Sequence, residues 1–131
     1  MAQILVDTSG VYALLDKDDE HHRRAAALLQ SLPKRGLKPL LTNFVVAEIH
    51  ALLLSRLGHA TARRWLLGQI WPVERVTADD ESRAREIIGH YRDKAFSYTD
   101  ASCFAVMERL KIAKALGFDP HFKQYGVELL K

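Results

Sequence analysis

A chain of 131 residues, 48% of them hydrophobic, is long enough for one domain with its own core, and its single cysteine excludes an internal disulfide framework. A net charge of +3 permits a polyanionic partner without demanding one. The amino end, MAQILVD, has no basic region followed by a long apolar one, and the most apolar run, 40–54, is broken by Asn43, Glu48 and His50, so the protein is expected to be soluble and cytoplasmic rather than secreted or membrane-spanning.

The segment QILVD is a short apolar run that ends in an acid and then Thr8-Ser9-Gly10, which reads as a buried central strand followed by a turn or helix start. A helix is predicted over 11–15 and another over about 22–32, where Ala25, Leu28, Leu29 and Leu32 recur at helical spacing before Pro33 and Gly36 end it. PLLT at 39–42 reads as a second buried strand. Asn43 can cap a long helix that runs through Arg56 and is closed by Gly58. A helix over 61–70, a strand over 71–76 and a helix from Asp79 or Asp80 to Tyr91 follow. In FSYTDASCFAVMERL, Ser97 or Thr99 can cap a helix over about 99–111, with Asp100 in the first turn, where the helix dipole favours an anion. Cys103, beside Phe104 in an apolar helical pattern, reads as a buried inert thiol. Short apolar segments over 112–116 and 127–130 supply the last two strands. Strands separated by helical patterns indicate an α/β fold with a parallel sheet covered on both faces, and with no repeat or linker residues 1–131 read as a single domain.

In such a sheet, functional groups collect beyond the carboxyl ends of the strands. Asp7 holds that position after the first strand, and Asp119 does so if a strand continues through Leu116. Asp100 would reach the same rim from a helix mouth. Glu48 is the fourth acid, set in FVVAEIHALLL, a helix apolar around most of its circumference. Residues 48 and 50 point about 200° apart, so one wet stripe does not serve both, and Val45 and Leu52 flank Glu48 on its own face. Converging carboxylates repel one another unless a cation neutralises them. Oxygen ligands without a matching Cys or His set suit Mg²⁺ or Mn²⁺, and such a site suits phosphodiester hydrolysis.

Four fragments, VDTSGVYALLDKDDEHH, TNFVVAEIHALL, FSYTDASCFAVMERL and ALGFDPHF, occur in the order found in PIN domains, and the chain resembles that family over nearly its whole length, most closely the VapC-like ribonuclease toxins. The resemblance implies a PIN-like three-layer α/β/α sandwich with a parallel sheet of about five strands, and a Mg²⁺- or Mn²⁺-dependent endoribonuclease acting on RNA. It implies that Asp7, Glu48 and Asp100 are the core metal-binding acids, that Asp119 is the fourth, more variable one, and that Thr8 helps hold the first carboxylate or a water. It further implies a homodimer and a VapB-like antitoxin whose peptide covers the active-site groove. The chain departs from the family at Gly117, where a hydroxyl or acidic residue is common. A non-catalytic PIN-like module that binds RNA or protein is the alternative reading. A receiver- or phosphatase-like phosphotransfer domain is a third, but no Asp-x-Asp motif follows the first strand and Glu48 would lack a role.

Among the other polar residues, His21-His22 and Asp93 read as solvent-exposed, and His121 as support for Asp119 or as helix-start packing. Trp65, Trp71 and Phe122 read as packing residues. Cations cluster at Arg23-Arg24, Lys34-Arg35-Lys38, Arg63-Arg64 and Lys111-Lys114, and Arg23, Arg24, Arg63, Arg64 and Lys123 are candidates for phosphate contacts. Aliphatic residues after Asp7 and after Thr42 are candidates for an antitoxin groove.

Overall fold

Ile4, Leu5 and Val6 are completely buried, as expected of a strand covered on both faces. They belong to β1 (Ala2–Val6) in a computed structural model that describes residues 2–131. The chain continues through α1 (Thr8–Leu15), α2 (His22–Ser31), β2 (Leu37–Thr42), α3 (Asn43–Arg56), α4 (His59–Gly68), β3 (Val73–Glu74), α5 (Ala78–His90), α6 (Tyr98–Leu110), β4 (Lys114–Leu116), α7 (Pro120–Tyr125) and β5 (Glu128–Leu129). All strand pairs are parallel and the order is β3-β2-β1-β4-β5, the five-stranded α/β architecture read from the sequence. After β1 the chain winds outward to β2 and β3, then crosses to the other side of β1 to form β4. The carboxyl ends of β1 and β4 therefore meet at the point where the winding reverses, with Leu5 opposite Ala115 and Val6 opposite Leu116. No helix among the described residues is long and apolar enough to cross a membrane.

Several element ends differ from expectation. Thr42, not Asn43, caps α3 by accepting the Val45 N–H at 3.1 Å; Asn43 is already helical, and its Oδ1 accepts the Val76 N–H at 2.8 Å, which ties the exit of β3 to α3. Gly58, with φ +96°, closes α3 and directly precedes α4, so that helix starts at His59 rather than 61. The strands expected over 71–76, 112–116 and 127–130 shrink to two or three residues each. Helix α5 starts at Ala78, one residue before Asp79, and is capped by Thr77; Asp80 reaches back to the Thr77 N–H at 2.9 Å and also takes Arg109 at 2.9 Å. Burial pushes the Asp80 carboxyl up, but the Arg109 and Thr77 bonds outweigh it and leave it below the ordinary value.

Helix α7 was expected only as a helix start near His121, with no extent assigned. It is held by packing: Phe122 is buried, Tyr125 stacks flat on Phe104 at 4.3 Å, and Phe104 meets Phe122 edge-on. This cluster fixes the start of α7, and with it Asp119. On the other side of the reversal point, α1 lies so close to β4 that a Cβ at Gly10 would come within 2.5 Å of the Leu116 carbonyl oxygen. Gly10→Ala is therefore expected to destabilise the fold by about 1–3 kcal/mol in urea unfolding, since the clash is with backbone that cannot move aside; an unchanged midpoint would show that the helix can shift freely.

Candidate active site

Asp7 leaves β1 and becomes the residue that caps α1. Its Oδ1 accepts the Gly10 N–H and the Ser9 hydroxyl, both at 2.8 Å, and the residue is 3% exposed. The Ser9 oxygen in turn accepts the Phe118 N–H at 2.8 Å, which binds the first turn of α1 to the exit of β4. Asp100 sits in the first turn of α6, in a reciprocal box with Ser97: Asp100 Oδ2 accepts the Ser97 N–H at 3.1 Å and the Ser97 hydroxyl accepts the Asp100 N–H at 3.0 Å. Asp119 caps α7, its Oδ1 accepting the His121 N–H at 2.9 Å. His121 turns its Nδ1 between two of these acids, 2.9 Å from Asp100 Oδ2 and 3.3 Å from Asp119 Oδ1.

One pattern unites the three aspartates. Each uses one oxygen to hold a helix amino end, and among the described residues Asp7 Oδ2, Asp100 Oδ1 and Asp119 Oδ2 receive no protein hydrogen bond. Asp100, Asp119 and His121 offer ligand atoms within 4.8 Å of one another. Asp7 stands outside that tightest group, yet the charges of Asp119 and Asp100 act on its carboxyl. Glu48 is half-buried on α3 and lines a cavity of about 230 Å³ with Thr8, Ser9, His21 and Asp119.

A model of the PIN domain matches residues 4–128. The chain belongs to the PIN domain family. It is similar to the 23S rRNA-specific endonuclease VapC20 of Mycobacterium tuberculosis, with 36% identity over 126 residues that cover 94% of each chain. The crystal structure of Mycobacterium tuberculosis VapC20, described as a sarcin-ricin loop cleaving toxin, superimposes with a TM-score of 0.85 at 35% identity over 95% of both chains. FitAcB from Neisseria gonorrhoeae shares the fold, with a TM-score of 0.65 at 20% identity over 98% of this chain and 96% of that one.

The donors of this PIN domain fit a hard divalent cation: free carboxylate oxygens from three separate elements, with Glu48 on the wall. Thr8 Oγ1 supports the fit, because it is the one buried side-chain polar atom among the described residues without a hydrogen-bond partner. It is Ser9, not Thr8, that bonds Asp7, a role the sequence reading missed although the Asp-x-Ser spacing of a capped helix could have revealed it. Gly117 also has a physical reason. A Cβ there would overlap the Asp7 carboxyl, so the position cannot carry a hydroxyl or acid while Asp7 occupies its cradle.

The remaining candidates separate clearly. Asp93 is exposed and pairs with Lys94 at 3.2 Å. Trp65 and Trp71 pack partly buried against the core, and Phe122 lies within it. Cys103 is buried, and burial together with the charges of Asp7, Asp100 and Glu48 raises its thiol well above the ordinary value, which leaves it inert. His21 and His22 are half-buried rather than exposed: His21 stacks on Phe118 at 4.3 Å with planes 2° apart, and His22 Nδ1 lies 2.8 Å from the Ala13 carbonyl oxygen. Arg23, Arg24, Arg63, Arg64 and Lys123 are all exposed, and Arg63 and Arg64 lie on α4, outside the cavity that holds the acids.

Burial is the main cause that lifts the Asp7 carboxyl from 3.8 to about 7, opposed by the Gly10 and Ser9 bonds and aided by Asp119 and Asp100. Asp100 is raised for the same first reason. For Asp7 the folded chain binds the proton more tightly than the unfolded chain. Its contribution to stability is thus full below pH 3.8 and lost as the pH rises to about 7, a change of roughly 4 kcal/mol at most. In EDTA, Asp7→Asn is expected to be more stable than the parent at pH 7 and no more stable at pH 4, as read by urea unfolding; parallel curves at both pH values would contradict the buried charge. Gly117→Ala is expected to leave the protein folded but weaken Mn²⁺ binding in calorimetry, because the methyl group pushes Asp7 out of its cradle; unaltered affinity would mean that Asp7 has room elsewhere.

Proposed function

We propose that this PIN domain, read as a single domain, is a Mg²⁺- or Mn²⁺-dependent endoribonuclease of the cytoplasm and the toxin of a VapBC-type toxin–antitoxin pair. The observation that carries the reading is the set of aspartates at three helix mouths, each with one oxygen free, on a chain similar throughout its length to a 23S rRNA-specific endonuclease. Asp7, Asp100 and Asp119 would hold the cation through those free oxygens, with Glu48 opposite them and Thr8 supplying a hydroxyl to a water. A divalent cation bound there supplies an activated water and neutralises charge on the attacked phosphate and the leaving oxygen.

The chain's own residues prepare that position. Ser9 and Gly10 fix the rotamer of Asp7, Ser97 fixes Asp100, and the His121 ring holds Asp100 and Asp119 at one spacing. The positive ends of α1, α6 and α7 face the same point and offset part of the repulsion among the acids. The raised carboxyl of Asp7 gives up its proton when the site is loaded, which makes loading stronger as the pH rises toward 7.

The antitoxin belongs to the same reading. A cleft of about 260 Å³ lined by Val11, Leu15, Leu29, Trp65 and Trp71 supports it as an apolar seat for a peptide, although α1 contributes to the cleft and α3 does not. A homodimer is part of the reading too, and Leu67 and Ile70, exposed by 70% and 89% at the end of α4, are apolar surface that such contacts would cover.

With Mn²⁺, the purified protein is expected to cleave RNA, and Asp100→Asn and Asp119→Asn to fall to the level of the EDTA-treated parent with their folds intact by circular dichroism. Cleavage at the parental rate in both variants would remove the assignment.

A further inference from the structure

A cleft of about 580 Å³ opens beside the acids at Gly117 and Phe118 and runs back along β4 toward its start. Its walls carry Arg24, Arg35, Lys114 and Lys123, against Glu128 as the only acid. A second cleft of about 810 Å³ shares Arg35 and Lys114 with the first, adds Lys38 and Lys111, and contains no acid. Among the described residues none of these six cations lies within ion-pair distance of a carboxylate. Arg35 donates to the main-chain oxygen of Lys131 at 2.7 Å, which orients its guanidinium. Elsewhere Arg83 and Arg109 are tied to Glu108, Asp80 and Glu74.

We propose that this continuous cationic groove is the path of the RNA strand that flanks the scissile phosphate. The inference rests on the endoribonuclease reading and adds where the substrate lies. From Lys114 to Gly117 the chain advances about 10 Å, so the cations at its start and the acids beyond its end are within reach of one short stretch of RNA. The first cleft shares Arg35 and Lys114 with the second and His21 with the cavity that Glu48 and Asp119 line. At the junction, the flat His21–Phe118 stack offers the kind of ring face on which unpaired bases stack. An acidic peptide would use the cations but would have no need of this stack or of the neighbouring acids, which favours RNA as the occupant.

The test measures binding in EDTA, so that cleavage plays no part. Anisotropy of a labelled single-stranded RNA of about 20 nucleotides is followed between roughly 50 and 200 mM KCl. Arg35→Gln/Lys114→Gln is expected to lower the slope of log K against log salt by about 1.4, at about 0.7 for each lost phosphate contact, and Lys38→Gln/Lys123→Gln to do the same should the first pair fail to fold. Arg63→Gln/Arg64→Gln, which removes the same charge outside both clefts, should lower the slope by much less. Equal losses in all pairs would reduce the effect to net charge and overturn the proposal. So would an unchanged slope in the folded groove variants, or a groove that binds a poly-glutamate peptide but not RNA. A groove effect in a protein that never cleaves RNA with Mn²⁺ would remove the nuclease reading and keep the groove, whereas cleavage with unchanged slopes would remove the groove alone.

Discussion

Everything at the rim of the sheet depends on a division of labour within single carboxylates: one oxygen closes a helix, the other stays open. A free-swinging aspartate has many rotamers, and a site built from three of them would lose much entropy on binding a cation. Here the helix amino ends remove that freedom in advance. Gly10 N–H holds Asp7, Ser97 N–H holds Asp100 and His121 N–H holds Asp119, and the Ser9 hydroxyl and the His121 ring add side-chain contacts to the same carboxylates. Capping and the proposed ligation are therefore compatible within one residue rather than competing explanations of it.

The arrangement has an energetic cost, and the fold tolerates it through position. Asp7 is buried and its carboxyl rises to about 7, which shows that the site holds its negative charge reluctantly in isolation. The reversal point of the sheet tolerates such a charge because it lies at the carboxyl ends of β1 and β4, where helix amino ends supply N–H groups to the carboxylates. Two glycines keep that point open. Gly10 lets α1 approach the end of β4, and Gly117 leaves the volume that the Asp7 carboxyl occupies. The missing side chain at 117 is thus a condition for the observed placement of Asp7, and the chain's departure from the family pattern there follows from packing.

What could be read from the sequence divides along the range of the forces involved. Strand-end acids and buried strands were legible because alternating strand and helix patterns locate the rim, and Asp7 and Asp119 needed only that. Glu48 was legible as an acid in an apolar helix, and it does line the cavity. The misreadings occur where two neighbouring residues offer the same chemistry and only the backbone path decides: Ser9 against Thr8, and Thr42 against Asn43. Of helix α7 only a helix start near His121 was legible, and its extent was hidden for another reason. Six residues carry too little periodicity to announce a helix, and its stability comes from Phe104 and Tyr125, which are far apart in sequence. The histidines after the acidic loop were hidden likewise, since the stack of His21 on Phe118 is a long-range contact.

Net charge is a poor guide to such a surface. A sum of +3 over the chain describes a nearly balanced protein, yet the balance comes from separating opposite charges rather than mixing them. Acids concentrate at the rim, at the approach 16–20 and at the start of α5, while the two clefts beside β4 are lined by seven Lys and Arg residues and, among the described residues, by one acidic side chain. A polyanion approaching this molecule meets opposed fields over a distance comparable to the Debye length of about 10 Å at 0.1 M salt, attractive along the groove and repulsive at the acids. Attraction along the flank can hold the chain while only a group able to meet the carboxylates through a cation settles at the rim. Under the proposed function, separation of charge would do what a uniformly basic surface cannot: give a bound polyanion a direction relative to the site.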